Sequence, residues 1–186
     1  MEYIKKISKV TVEKTLGVKL QPNMICMGVD VAEHNTGIAI IRTTDSSVIL
    51  DSLYKIKVPQ KVQIMDAIDL FIDQVERIKE EISQRYKLDK NMIEDCFFLK
   101  NVNTLKYLAR FSALVYDRFR GIVKKSHFML PTSARSKVNF KKSSKLVKGK
   151  DLKKELVAYA NKALSINVTD NDEADAIILA LAGLVE

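Results

Sequence analysis

The chain has 186 residues, with 31 Lys and Arg against 23 Asp and Glu, a formal net charge of +8 and a pI near 9.4. A chain of this length predicts one domain that buries roughly 70% of the surface its unfolded form exposes, enough to need no disulfide staple; the basic balance favours a polyanionic partner such as nucleic acid. No apolar run approaches the roughly 20 residues of a membrane span, and Met1-Glu-Tyr-Ile-Lys-Lys-Ile lacks the apolar stretch of a secretory signal, so a soluble cytoplasmic protein without membrane contact is expected.

In chain order, residues 1–23 read as an N-terminal extension that packs on the sheet, widens an interface or contacts a nucleic acid. The domain proper runs over 24–186. It starts with three strand-like runs, Met24 to Val29, Gly37 to Arg42 and Val48 to Val58. The turn chemistry at His34-Asn-Thr-Gly37 and Asp45-Ser-Ser47 implies an antiparallel meander. From Lys61 to Tyr86 the residues Ile64, Ala67, Ile68, Phe71, Ile72, Val75, Ile78 and Ile82 recur at helical spacing. A buried strand follows at Met92 to Phe98, then a helix from Asn103 to Arg120 that stops at Gly121, then a short strand from His127 to Leu130 closed by Pro131. Strands separated by helices imply an α/β fold whose later strands lie parallel through right-handed crossovers. Cys26 and Cys96 sit in apolar strands without metal-ligand spacing and read as buried thiols of a reducing compartment.

Between about 132 and 150 the chain reads as a basic loop. Arg135, Lys137, Lys141, Lys142, Lys145, Lys148, Lys150, Lys153 and Lys154 are opposed only by Asp151. As a surface segment it needs no function, but beside a site that cuts a phosphodiester it supplies the charge that holds the backbone. Two helices close the chain, from about Lys150 to Leu164 and from about Asp172 to Val185.

Four acidic residues stand out against this background. Asp30 ends the apolar run Ile25-Cys-Met-Gly-Val, Glu94 lies in Met92-Ile-Glu-Asp-Cys-Phe, and Asp172 and Asp175 are three residues apart, on one helical face. A carboxylate at the end of a buried strand costs desolvation energy unless a cation or partner compensates it. Oxygen ligands gathered in this way suit Mg²⁺ or Mn²⁺ and not zinc. Acids at a helix start also serve as caps, but capping does not account for Asp30 and Glu94. His34 reads as a turn residue and His127 as structural.

The order of these motifs resembles the RuvC-type Holliday junction resolvases of the RNase H-like superfamily. The resemblance rests on Gly28-Val-Asp30 with Thr36-Gly-Ile-Ala39, on Ile93-Glu94 with Phe97, on Asn101 and Thr104, and on Asp172-Glu-Ala-Asp175-Ala176. It implies an RNase H-like fold with a mixed five-stranded sheet, the antiparallel meander followed by parallel strands, flanked by helices. It also implies a homodimer that nicks opposed strands of four-way junction DNA by a two-metal-ion mechanism. Asp30, Glu94, Asp172 and Asp175 would hold two Mg²⁺, with Mn²⁺ able to substitute. Phe97 matches an aromatic near the junction centre, where it either stacks on a base or packs in the core. Lys137 and either Lys150 or Lys153 are the DNA-binding candidates. Val31-Ala32 replaces the Pro-Gly usual after the first Asp, so substrate preference can differ from that of typical members. Two alternatives stand beside the junction resolvase: an RNase H-like nuclease of broader branched-DNA or RNA-processing specificity, and a non-catalytic nucleic-acid-binding protein of the same fold, whose usual sign, loss of a cluster carboxylate, is not seen.

Overall fold

The computed structural model describes residues 2–96, 102–144 and 146–186, with side chains from residue 5 onward. Strand β1 (Glu2–Ser8) and helix α1 (Lys9–Leu16) come first, followed by β2 (Ile25–Asp30), β3 (Asn35–Thr43) and β4 (Ser47–Lys57). β2, β3 and β4 form the expected antiparallel meander. Helix α2 (Ile64–Arg85) leads to β5 (Leu88–Glu94), and α3 (Val102–Phe119) leads to β6 (Val123–Met129). β5 lies parallel to β2, and β6 parallel to β5. Helices α4 (Pro131–Lys137), α5 (Gly149–Leu164) and α6 (Asn171–Leu184) complete the described chain.

Among the described residues the sheet has six strands in the order β1-β4-β3-β2-β5-β6, one more than the sequence reading allowed. The additional strand comes from the segment read as an extension. β1 pairs antiparallel with β4, Lys5 opposite Leu50 and Ser8 opposite Ser47, and so covers part of an otherwise open edge. Val12 and Leu16 on one face of α1, and Leu20 beyond it in a bridge with Val185, are buried in the same core as α5 and α6, which fixes this segment to the sheet. Strand β5 starts earlier than its most apolar stretch suggests, because Asp89 and Lys90 find partners. Asp89 accepts the backbone N–H of Ile25 at 2.8 Å, and Lys90 donates to the carbonyl of Gly183 at 2.8 Å. Within the basic segment, Pro131 opens α4 as an N-terminal helical residue, where its missing N–H is not needed.

One apolar cluster lies on each face of the sheet. α2 and α3 cover one side, with Phe71 and Phe111 stacked at a centroid separation of 4.1 Å. The other side is dominated by α6, whose residues from Ile177 to Leu184 are buried without interruption. A helix apolar on all sides must be enclosed, and here the sheet, α4 and α5 surround it. α6 also approaches β2 and β3 more closely than a side chain would allow. A Cβ on Gly28 would lie 2.1 Å from the carbonyl oxygen of Ala176, and one on Gly37 would lie 2.2 Å from that of Asp172. The two glycines let the helix backbone rest directly on the sheet.

Candidate active site

β2 has an antiparallel neighbour, β3, on one side and a parallel one, β5, on the other. Crevices at the carboxyl ends of strands at such a switch are where open α/β sheets bind ligands. Val29 is in register with Ile93, so the next residues along, Asp30 and Glu94, emerge side by side at that end. The contact of α6 with Gly37 holds its first turn over the same point, which adds Asp172 and Asp175. All four carboxylates line one cleft of about 570 Å³, together with Arg135 and Lys153. A larger groove of about 710 Å³ lies between β4, α2 and residues 167–169 and contains none of the four.

The charge within the cleft is strained and partly compensated. Burial pushes the Asp30 carboxyl well above the usual carboxylate range, and its hydrogen bond with Glu94 and the charges of Glu94, Asp175 and Asp172 push the same way. Glu94 is also raised, by burial first and by Asp175, with the hydrogen bond from Asp30 opposing. Both carboxyls therefore hold a proton more readily than an exposed acid would. Burial raises Asp175 as well, and the Arg135 guanidinium, 3.3 Å from its Oδ1, opposes that rise. Asp172 accepts from the Lys55 ammonium at 3.2 Å, and Lys55 also grips Asp170. Asp170 caps α6, its Oδ1 accepting the N–H groups of Asp172 at 2.9 Å and Glu173 at 3.3 Å.

Among the described residues, no three Asp, Glu, His or Cys side chains close into a cation cage. The negative charge is instead countered by the Arg135 guanidinium at Asp175 and the Lys55 ammonium at Asp172. The donors are nonetheless of the kind that hard divalent cations take, oxygen only and more numerous than the local positive charges compensate. The donor chemistry fits Mg²⁺ or Mn²⁺, whose charge would offset the repulsion among these acids.

All four carboxylates foreseen from the sequence share the cleft, and of the candidate lysines Lys153 lines it. Lys137, on α4, and Lys150, in the first turn of α5, are exposed and do not line it. Phe97 lies outside the described residues. Arg135 appeared in the sequence only as one charge in a basic run; its signal is the spacing from Pro131, which sets it one helical turn into α4. Glu33, half-buried beside the cluster, accepts from Thr104 at 3.3 Å. Lys55 carried no local signal, because its role depends on α6 crossing the end of β4.

Residues 26–183 match the family model of the crossover junction endodeoxyribonuclease RuvC. Among solved structures, a Thermus thermophilus RuvC aligns with a TM-score of 0.66 at 14% identity, covering 88% of this chain and 99% of its own. T. thermophilus RuvC in complex with a Holliday junction substrate aligns with a TM-score of 0.65 at 14% identity, covering 86% and 91%. The yeast mitochondrial Holliday junction resolvase Ydc2 aligns with a TM-score of 0.52 at 12% identity, covering 93% and 82%. At these identities the structures establish a shared fold. No curated protein matches the chain.

Proposed function

The chain belongs to the RuvC family of crossover junction endodeoxyribonucleases, and from that premise we propose that it resolves four-way DNA junctions by divalent-cation-dependent hydrolysis at the cleft of Asp30, Glu94, Asp172 and Asp175. As a family member it is a structure-selective, junction-resolving nuclease. The observation that supports this choice of site is the convergence of three separate segments, the ends of β2 and β5 and the start of α6, on one buried negative centre. Two Mg²⁺ ions, or Mn²⁺ in their place, would supply an activated water and neutralise charge on the leaving 3′ oxygen.

The residues of this chain set the geometry. Asp30 is buried at the end of a central strand and hydrogen-bonded to Glu94 on the neighbouring strand, which restrains both carboxylates. Asp172 and Asp175 extend from one turn of α6 and face them across the cleft. Arg135 and Lys153 border the same cleft and present cations to a scissile phosphate. The lysines between Lys141 and Lys154 hold the flanking backbone by charge alone, which contributes affinity without sequence selection. Nicks in two opposed strands of a two-fold symmetric junction require two equivalent sites, so the working form is a homodimer.

The test is cleavage of end-labelled DNA with divalent cation supplied or withheld, on a four-way junction, a three-way junction, linear duplex and an RNA–DNA hybrid. Paired symmetric nicks in the four-way junction, dependent on cation and abolished by Asp30→Asn while junction binding persists, are expected. Cleavage that survives Asp30→Asn would move the site elsewhere, and preferential cutting of the hybrid would replace the substrate.

A further inference from the structure

Lys55 stands on β4 with its ammonium half-enclosed between the carboxylates of Asp170 and Asp172. Each carboxylate divides its oxygens. Asp170 gives Oδ1 to the N–H groups of Asp172 and Glu173 and Oδ2 to Lys55. Asp172 gives Oδ2 to Lys55 at 3.2 Å, which leaves Oδ1 for the cleft that Asp172 lines. Lys55 also lines the larger groove, while its partner Asp172 lines the carboxylate cleft, so the ion pair reaches from one to the other.

The geometry points to Lys55 as a positioning residue that fixes the Asp172 carboxylate in one orientation, with a single oxygen directed at the divalent cation. The inference rests on the metal-dependent reading of the cleft given above. Three observations favour it over a bare surface ion pair. The ammonium touches two carboxylates from one strand position, one of those carboxylates is the cap of the helix that carries Asp172 and Asp175, and the contact lies directly behind the site. Groups that orient a metal's ligands through hydrogen bonds commonly change metal affinity by about 10–100-fold when removed.

Coulombic and positional effects of Lys55 have opposite signs here, which makes the idea sharply testable. An ammonium beside a ligand carboxylate repels an incoming cation, so charge alone predicts that Lys55→Gln binds cation more tightly. Orientation predicts weaker binding. Mn²⁺ binding to the full chain is measured by titration calorimetry for the wild type, Lys55→Gln, Lys55→Arg and Asp30→Asn, with cleavage rates in parallel. Lys55→Gln should bind Mn²⁺ about 10-fold more weakly, and kcat should fall with little change in the junction KM. Lys55→Arg should restore most of both.

Should Lys55→Gln fail to fold, Asp170→Asn takes its place. It keeps the helix cap, since Asn caps as well as Asp, but loosens the grip on Lys55, and Mn²⁺ affinity should again fall. Unchanged or tighter Mn²⁺ binding in the variants, with wild-type binding intact and lost in Asp30→Asn, overturns the positioning role alone. Wild-type protein that binds no Mn²⁺, or binds it equally well as Asp30→Asn, overturns the metal reading and this inference with it.

Discussion

Gly28→Ala places a methyl group where the structure has no room for one. Its Cβ would meet the carbonyl oxygen of Ala176 at 2.1 Å and the backbone nitrogen of Ala180 at 2.4 Å, both well under the 3.0 Å that real Cβ atoms essentially never breach. Neither is the far end of a flexible side chain, so the helix backbone itself must retreat, by about 1 Å, to clear the methyl. The retreat happens at Ala176, the residue after Asp175, while Gly28 is two residues before Asp30. One side of the site moves relative to the other. Overpacking of this kind costs about 1–3 kcal/mol, which for a domain of this size lowers Tm by roughly 3–10 °C. A 1 Å misplacement of reacting groups costs on the order of 10²-fold in rate. Gly121→Ala is the matched control, because a Cβ there meets nothing within 4 Å. Denaturation midpoints and single-turnover junction cleavage are read together for both variants. Gly28→Ala with wild-type stability and cleavage would refute the claim that close approach of α6 to β2 assembles the site.

Two further outcomes follow from the charges and the core. Asp30, Glu94 and Asp175 all have folded-state pKa values raised, by burial first, above those of the unfolded chain. Their contribution to stability is therefore fully present below the ordinary carboxylate range and is lost as pH rises through the raised values. Metal-free protein should lose stability across that window, saturating Mn²⁺ should restore it by binding the native state, and Asp30→Asn should flatten the metal-free slope; chemical denaturation at several pH values reads all three, and a flat wild-type profile contradicts the raised carboxyls. A chain starting at residue 24 loses Val12, Leu16 and Leu20, each fully or almost fully buried. Each is worth about 1.5–3 kcal/mol against a total stability of about 5–15 kcal/mol. The shortened chain should lack a cooperative thermal transition by circular dichroism, and one within a few degrees of the full chain would show that β1 and α1 are dispensable.

The parts of this molecule legible in its sequence are those whose signal is local. The meander reads from turn residues and alternation, α2 from the spacing of Phe71, Val75 and Ile82, and the four carboxylates from acids placed at the ends of apolar runs, where only a compensating charge makes them tolerable. Less legible were elements that depend on a distant partner. β1 contains Lys5 and Lys6 and becomes a strand because the edge of β4 is open to it, while β5 extends back to Leu88 because Asp89 and Lys90 are paired to β2, β6 and α6. Similar reasoning applies to the site's positive charges. A run of basic residues identifies the side of the molecule that meets a polyanion, but only the fold distinguishes Arg135, against Asp175, from Lys137 two residues on and exposed.

The glycines join the two levels. Gly28 and Gly37 look like parts of a motif around Asp30, yet in the structure their demand comes from α6, far along the chain, where Ala176 lies on Gly28 and Asp172 on Gly37. A Gly-x-Asp signature of this kind therefore encodes a distance as well as a carboxylate. The missing side chains set how closely the helix bearing Asp172 and Asp175 can approach the strand bearing Asp30, and that separation decides whether four acids form one site or remain separate surface charges. Lys55 and Arg135 then act on a framework already placed, each taking one acid of the α6 pair, while Asp30 and Glu94 hydrogen-bond to each other.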